Sequence, residues 1–241
     1  MTIDEVLAFT VWGDWAHYRR VYTTTSSLTY PFPPRTALIG MISAILGYKR
    51  DSYYDFFTQE NSIIALEILN PVKTKQINFN LIRTKEGFIL RDIKVAGKRS
   101  QIPLEFLKEP KWRIYLGMED AERFETLRQM LKEHKSIYTP CLGISELIAN
   151  FAFERTYALD KKQIVTGGEE VQIHSIIQRT KDLSIKAERN LKYGRVKVPG
   201  EITKERVVTK YLEFFFEKNG SPLTLLRGEY YSFGEKNVIF F

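Results

Sequence analysis

The sequence is poor in the residues that tie small proteins together: its 241 residues include one cysteine, Cys141, and three histidines. A single thiol excludes an internal disulfide, and without a Cys-x-x-Cys pair there is no cysteine zinc site. His17, His134 and His174 are too scattered for metal-ligand spacing, so neither a metal nor another cofactor is expected. The N-terminus runs straight into Asp4 and Glu5 without a basic-then-apolar leader. The longest apolar stretch, from Ala37 to Leu46, holds about ten residues where a membrane span needs roughly twenty, and Gly40 and Ser43 interrupt it. These absences lead us to expect a cytoplasmic protein with no membrane role. Also missing is a glycine-rich phosphate loop followed by Lys-Ser or Lys-Thr, since Gly167-Gly168 lacks that context. So is the basic-Gly-aromatic-Gly-aromatic strand by which many RRM sheets stack bases, so the sheet face is not expected to be a stacking platform.

What is present is length enough for a core without staples, and an excess of positive charge. Lysine and arginine number 36 against 29 acids, for a net +7. From Arg179 to Lys210 ten basic residues face four acidic ones, so most of the excess lies in one segment. A local cationic stripe of this kind suits a polyanion, and equally an ordinary solvated face.

The alternation of apolar residues predicts a strand over Ile3–Trp12 that is apolar on both faces and hence central in its sheet. Pro33 and Pro34 then end regular structure and start a helix over Arg35–Leu46 that stops at Gly47. Further strands are predicted over Ile63–Leu69, Gln76–Thr84, Gln101–Leu107 and Lys111–Met118. An amphipathic helix follows over Glu119–His134, with acids first and Lys132, His134 and Lys135 last, and then a strand near Leu147–Phe153. Between Lys85 and Ser100 a basic, glycine-punctuated insert reads as a protruding hairpin. The fold class is α+β, a ferredoxin-like or RRM domain over residues 1–155. A smaller β-rich lobe is expected over 156–241, containing an aromatic hairpin of Tyr211–Phe216 against Leu223–Tyr231.

The segment joining the first strand to the first helix holds most of the chemistry. Trp12, Trp15, Tyr18, Tyr22 and Tyr30 offer ring faces for bases, although the same alternation suits Trp12 to the core. Arg19 and Arg20 supply cations, and Thr23, Thr24, Thr25 and Ser26 supply hydroxyls for phosphate and 2′-OH groups. Arg35 and Thr36 place a cation and free amides at a helix N-terminus, an arrangement that favours an anion but also describes a plain proline-started helix. His17 beside Tyr18 is a weak candidate for general acid–base cleavage of RNA, with a phosphate contact or a structural role as the alternatives. The mixture reads as a grip on RNA.

Trp12-Gly13-Asp14-Trp15-Ala16-His17-Tyr18-Arg19, Tyr22-Thr23-Thr24-Thr25-Ser26, Pro33-Pro34-Arg35-Thr36-Ala37-Leu38-Ile39-Gly40 and Ala44-Ile45-Leu46-Gly47 resemble the N-terminal signature of family five of the CRISPR-associated Cas proteins, in the RAMP superfamily. Gln101–Leu107 with Pro110–Tyr115 resembles the family's strand pair after its thumb hairpin, and Tyr138–Pro140 with Leu142–Glu146 its loop before the last strand. The resemblance covers about residues 1–150 and is nearest to subtype I-B. It implies an RRM-like RAMP domain with a thumb at about 85–100 carrying Arg91, Lys94, Lys98 and Arg99. It further implies capping of the CRISPR RNA 5′ handle within the Cascade surveillance complex of antiviral defence. Tyr138 and Ser145 join the expected RNA contacts on this ground. The implied partners are the CRISPR RNA, the repeated backbone subunit, the large subunit that reads the protospacer-adjacent motif and, indirectly, target DNA. In subtype I-C the equivalent protein is itself the metal-independent endoribonuclease that processes precursor RNA, and His17 and Tyr18 keep that alternative open.

Overall fold

The structure, a computed structural model, describes residues 3–21, 27–82 and 99–241. The chain order is β1 (Glu5–Trp12), β2 (Trp15–Ala16), α1 (Arg35–Leu46), a 3-10 turn (Tyr54–Phe56), β3 (Ser62–Ile68), β4 (Thr74–Ile82), β5 (Arg99–Lys108), β6 (Lys111–Met118), α2 (Ala121–Lys132) and β7 (Asn150–Ala158). Eight further strands follow: β8 (Gln163–Val165), β9 (Val171–Ile173), β10 (Ile177–Gln178), β11 (Ser184–Ile185), β12 (Tyr193–Ile202), β13 (Val208–Glu217), β14 (Leu223–Phe233) and β15 (Lys236–Val238). The described residues are thus mostly sheet, with two helices.

An antiparallel sheet of order β3-β6-β1-β7 forms the centre. Its construction explains why β1 carries apolar residues on both faces. Leu7, Phe9 and Val11 face a core shared with Leu38, Ile42 and Ile45 of α1 and Phe124, Leu127 and Leu131 of α2. Val6 and Ala8 face the other way, onto a second cluster with Ala65, Tyr115, Phe233 and Val238. Helices therefore cover one face, and β14 and β15 the other. On that second face the buried Glu67 accepts from Arg113 Nη1 at 2.7 Å, Tyr115 Oη at 3.2 Å and Lys236 Nζ at 2.8 Å, which ties β15 to the sheet. A buried carboxylate is costly unless its oxygens are met by donors in this way.

Both helix ends follow from local chemistry. Pro34 caps α1, and Gly47 ends it in the left-handed conformation at φ +82°, a position where a side chain would strike Ile137. Asp120 caps α2 by accepting from the Arg123 backbone N–H at 2.9 Å. β7 begins later than the sequence suggests, because residues 141–148 are used in a tight loop closed by Leu142 N–H donating to Leu147 O at 2.7 Å and a Cys141–Ile148 bridge. The strand then runs to Ala158, through the expected division at 155.

The expected hairpin of Tyr211–Phe216 against Leu223–Tyr231 does not form. β13 pairs with β12 and β10, while β14 pairs with β8, β9, β11 and β15. The cause lies at the turn. Glu217 is buried, and its carboxylate accepts from the backbone N–H groups of Lys192, Asn219 and Ser221 at 2.7–3.0 Å, bending the chain away from a two-strand ladder. The β12–β13 pair instead packs on the helical side, where Phe32 meets Phe214 and Phe216 edge-on at 5.8 and 5.4 Å. Among the described residues no helix is long and apolar enough to cross a membrane.

Candidate nucleic-acid interface

After β1 the chain turns at Gly13, pairs briefly as β2 against β5, and then folds back on itself. Tyr30 N–H donates to Tyr18 O at 2.8 Å and Arg20 N–H to Leu28 O at 2.9 Å, with an Arg19–Thr29 bridge between them. The base of this 17–30 loop leans on β5. Glu105 N–H donates to Ser27 O at 2.9 Å, Thr29 N–H to the Glu105 carboxylate at 3.0 Å, and Ser27 bridges Leu104. From the other side the 141–148 loop closes in, with Leu142 O accepting from His17 N–H at 3.0 Å. Gly143 there has φ +104°, and a Cβ on it would lie 1.9 Å from His17 O, so only glycine permits the approach.

These three pieces enclose a cleft of about 360 Å³ lined by His17, Arg19, Ser27, Leu81, Gln101, Ile102, Pro103, Leu104 and Ile144. Arg19 is exposed, and no ion pair holds it among the described residues. Arg20 is half-buried, donating from Nε to Thr29 O at 2.8 Å and lying 6.0 Å from the Tyr30 ring. Trp15 is half-buried, edge-on to Phe106 at 6.3 Å. Lys111 Nζ sits 5.6 Å from the centre of the half-buried Trp12 ring. Tyr138 and Ser145 are exposed beside the cleft-forming loop, and Ser145 Oγ donates to Glu146 at 3.1 Å.

Other sequence candidates are placed differently. Tyr18 and Tyr30 are core residues rather than open rings, and burial, with a smaller push from Cys141, raises the Tyr18 hydroxyl far above its ordinary pKa. His17 is 3% exposed, with Nδ1 2.7 Å from the Glu105 carbonyl and its ring 5.4 Å from Phe106. Arg35 is not at the surface. Its guanidinium turns inward and donates to Phe57 O at 3.2 Å, Thr58 O at 2.9 Å, and Ser62 O and Oγ at 3.0 and 2.8 Å. Those bonds consume the charge that the sequence suggested for an anion. Thr36 is half-buried on a separate cleft lined also by Asp55, Glu201, Glu205 and Lys204, where Lys204 already pairs with Asp55 and the acids outnumber it. Tyr22, Thr23, Thr24, Thr25 and Ser26 lie outside the described residues, as do Arg91, Lys94 and Lys98 of the expected thumb. Arg99 opens β5, paired with Ile82.

The basic 179–210 stripe is largely spoken for. Arg179 and Arg195 clasp Glu213 at 2.9 and 2.6 Å, and these hydrogen bonds hold its carboxyl down to about 2. Lys186 pairs with Glu170, Lys204 with Asp55 and Arg206 with Asp51. Half of its ten cations therefore meet a carboxylate within the protein, which weakens the stripe as a polyanion surface. Of the other histidines, His134 follows the C-cap of α2 and stacks on Phe151 at 4.8 Å, and His174 accepts from Asn237 N–H at 3.2 Å. Among the described residues no group of three or more His, Cys, Asp or Glu is placed to hold a metal.

Residues 6–153 match the model of the family described as CRISPR-associated protein (Cas_Cas5). The chain belongs to the Cas5 family. The matched region spans β1 to β7 and holds every residue of the cleft. A crystal structure of a CRISPR protein from Archaeoglobus fulgidus has the same fold, at 13% identity and a TM-score of 0.57, covering 97% of this chain and 98% of that one. A chain of a CRISPR RNA-guided surveillance complex aligns at 10% identity and a TM-score of 0.50, covering 90% of this chain and 91% of that one. No curated protein matches the chain. In this Cas5 protein the cleft-lining Ser27, Gln101, Leu104 and Ile144 escaped the sequence reading as contacts. For Gln101 one signal was available: with Gln76, Asn78 and Asn80 it falls on one face of the β4–β5 ribbon, opposite Ile77, Phe79, Ile102 and Leu104.

Proposed function

We propose that this Cas5 protein is the CRISPR effector subunit that binds and caps the 5′ handle of the CRISPR RNA, a Cascade component of subtype I-B type acting in the cytoplasm. The observation that carries the reading is the family match over residues 6–153, which contains the loop, the ribbon and the cleft between them. The fold shared with a chain of an RNA-guided surveillance complex supports it. The central strand order, with α1 after β1 and α2 after β6, favours a ferredoxin-like RAMP domain in which β4 and β5 are the stem of a thumb. In this reading Arg19 and Arg20 meet phosphates, Trp15 and Tyr138 meet sugars or bases, and Tyr22–Ser26 complete the grip. The thumb residues Arg91, Lys94, Lys98 and Arg99 face the backbone subunit, and the PAM-reading large subunit and target DNA are reached through the assembly.

The site holds RNA; the geometry does not favour cleavage. A general acid or base must reach its proton within hydrogen-bond distance, whereas the Tyr18 hydroxyl is buried with a raised pKa and His17 is almost wholly covered.

Arg19→Ala with Arg20→Ala tests the assignment. Each phosphate contact on a single strand contributes about 0.7 to the slope of log K against log salt. The double variant should lower that slope for handle RNA by about 1.4, measured by fluorescence anisotropy. An unchanged slope rejects these two arginines as phosphate contacts.

A further inference from the structure

We propose that the segment 236–241 is a strap held on the protein by the unprotonated imidazole of His174, and that protonating this one ring releases it. The proposal stands apart from RNA binding and rests on how the strap is sewn down. On one side β15 pairs with the end of β14, Asn237 opposite Ser232. On the other it lies along residues 174–176, where the side chains of His174 and Ser175 stand in for the backbone carbonyls of an ordinary ladder. His174 N–H donates to Asn237 O at 2.8 Å, and the return bond runs from Asn237 N–H to the ring nitrogen Nδ1 of His174 at 3.2 Å. Next along, Ile239 N–H donates to Ser175 Oγ at 2.9 Å. Phe241 N–H then donates to Ile64 O at 2.9 Å and Ile64 N–H to Phe241 O at 3.3 Å, which carries the strap onto the edge of β3. Closure also places Val238 in the apolar cluster with Val6, Ala8, Ala65 and Tyr115.

Of these acceptors only the imidazole titrates near neutral pH. A backbone N–H can only donate, so Nδ1 must keep its lone pair for the Asn237 bond to exist. In the protonated ring Nδ1 is itself a donor, and the half-buried Asn237 N–H faces it with no acceptor. The surroundings resist that change. Burial and the charge of Lys236 on β15, with a smaller push from Arg113 on β6, outweigh Glu67 on β3 and the Asn237 backbone, and hold the ring below its ordinary pKa of 6.5. Glu67 is a weak counterweight because its carboxylate is already met by Arg113, Tyr115 and Lys236. A released ring stands in water and takes its proton at the ordinary value, so the open state binds more protons than the closed one. The hold that His174 provides is therefore complete above about 6.5 and weakens as the pH falls below it.

Amide hydrogen exchange of the full chain, read by NMR and corrected for the intrinsic exchange rate at each pH, tests the strap. Between about pH 7.5 and about pH 5.5 the protection of the Asn237 and Ile239 amides should fall, by up to about tenfold for each pH unit once the ring titrates, while the amides of β1 and β6 keep theirs. The imidazole of the unaltered protein should titrate below 6.5. H174N puts an amide oxygen that does not titrate near the place of Nδ1, and should keep Asn237 protected at both pH values. H174A, which has no acceptor there, should leave it open at both. Protection of Asn237 and Ile239 that is the same at the two pH values, a fall shared equally by β1 and β6, or an imidazole that titrates at or above 6.5 overturns the strap, and each of these is read on the unaltered protein. A folded H174N that loses protection in acid as the unaltered protein does overturns the role of the ring.

Discussion

Arg35→Ala lowers the stability of the protein by about 3–5 kcal/mol, the cost of losing several buried charge-assisted hydrogen bonds and of the cavity a large side chain leaves. The magnitude follows from what the guanidinium does. It is 1% exposed and bonds three backbone carbonyls and one hydroxyl of the segment from Phe57 to Ser62, which joins α1 to β3. Removing it takes a charged donor from all four acceptors, of which Thr58 O still has the Ser62 N–H and hydroxyl as donors. Burial, offset in part by the charge of Glu201, lowers its pKa to about 10, which still leaves it a cation at neutral pH. Arg35→Lys should recover little, because a single ammonium cannot reproduce the fork that spans Phe57, Thr58 and Ser62. Urea unfolding measures the loss. The same variant separates structure from binding: a residue that contacted phosphate would lower the salt slope of RNA binding at nearly unchanged stability, and that pattern would contradict the inward placement.

Gly143→Ala is expected to cost about 2–4 kcal/mol, from backbone strain and steric overlap together. At φ +104° an L-residue is strained even in open space, and here the added methyl carbon would sit 1.9 Å from the His17 carbonyl oxygen. Both groups are backbone or bound to it, so no flexible side chain can swing aside. The 141–148 loop must lift, and with it goes the bond between His17 N–H and Leu142 O. A thermal melt should fall by roughly 2–4 °C for each kcal/mol in a chain of this size. Handle binding should weaken in the same variant, since the loop supplies Ile144 to the cleft. Full stability in Gly143→Ala would show that the loop does not clasp His17.

The central sheet was legible because its rules are local. Apolar residues on both faces of β1 announced a strand covered on both sides, and the Pro34 start and Gly47 stop bounded α1 to the residue. The partner of β13 was not legible. β12 and β14 carry comparable apolar patterns, and what selects between them is a carboxylate, Glu217, gathering backbone N–H groups from two separate segments. The site divides in the same way. Arg19 and Trp15 stand where an alternating pattern followed by a polar loop suggests, but Arg35 reads in sequence like any first-turn cation. Only the return of residues 57–62 beneath it converts it into an internal tie. The cleft itself is made by three segments far apart in the chain, the 17–30 loop, the β4–β5 ribbon and the 141–148 loop, and no local pattern encodes that meeting.

The account stands most directly on where this Cas5 protein touches RNA, and ultraviolet cross-linking of the intact effector complex from its host, followed by mass spectrometry, reads that contact. We expect cross-links from this subunit to fall on the 5′ handle of the CRISPR RNA and on peptides carrying residues 15–30 and 99–108. Cross-links confined to the 3′ part of the RNA, or an RNA-loaded complex in which this subunit touches no RNA, would contradict the capping role.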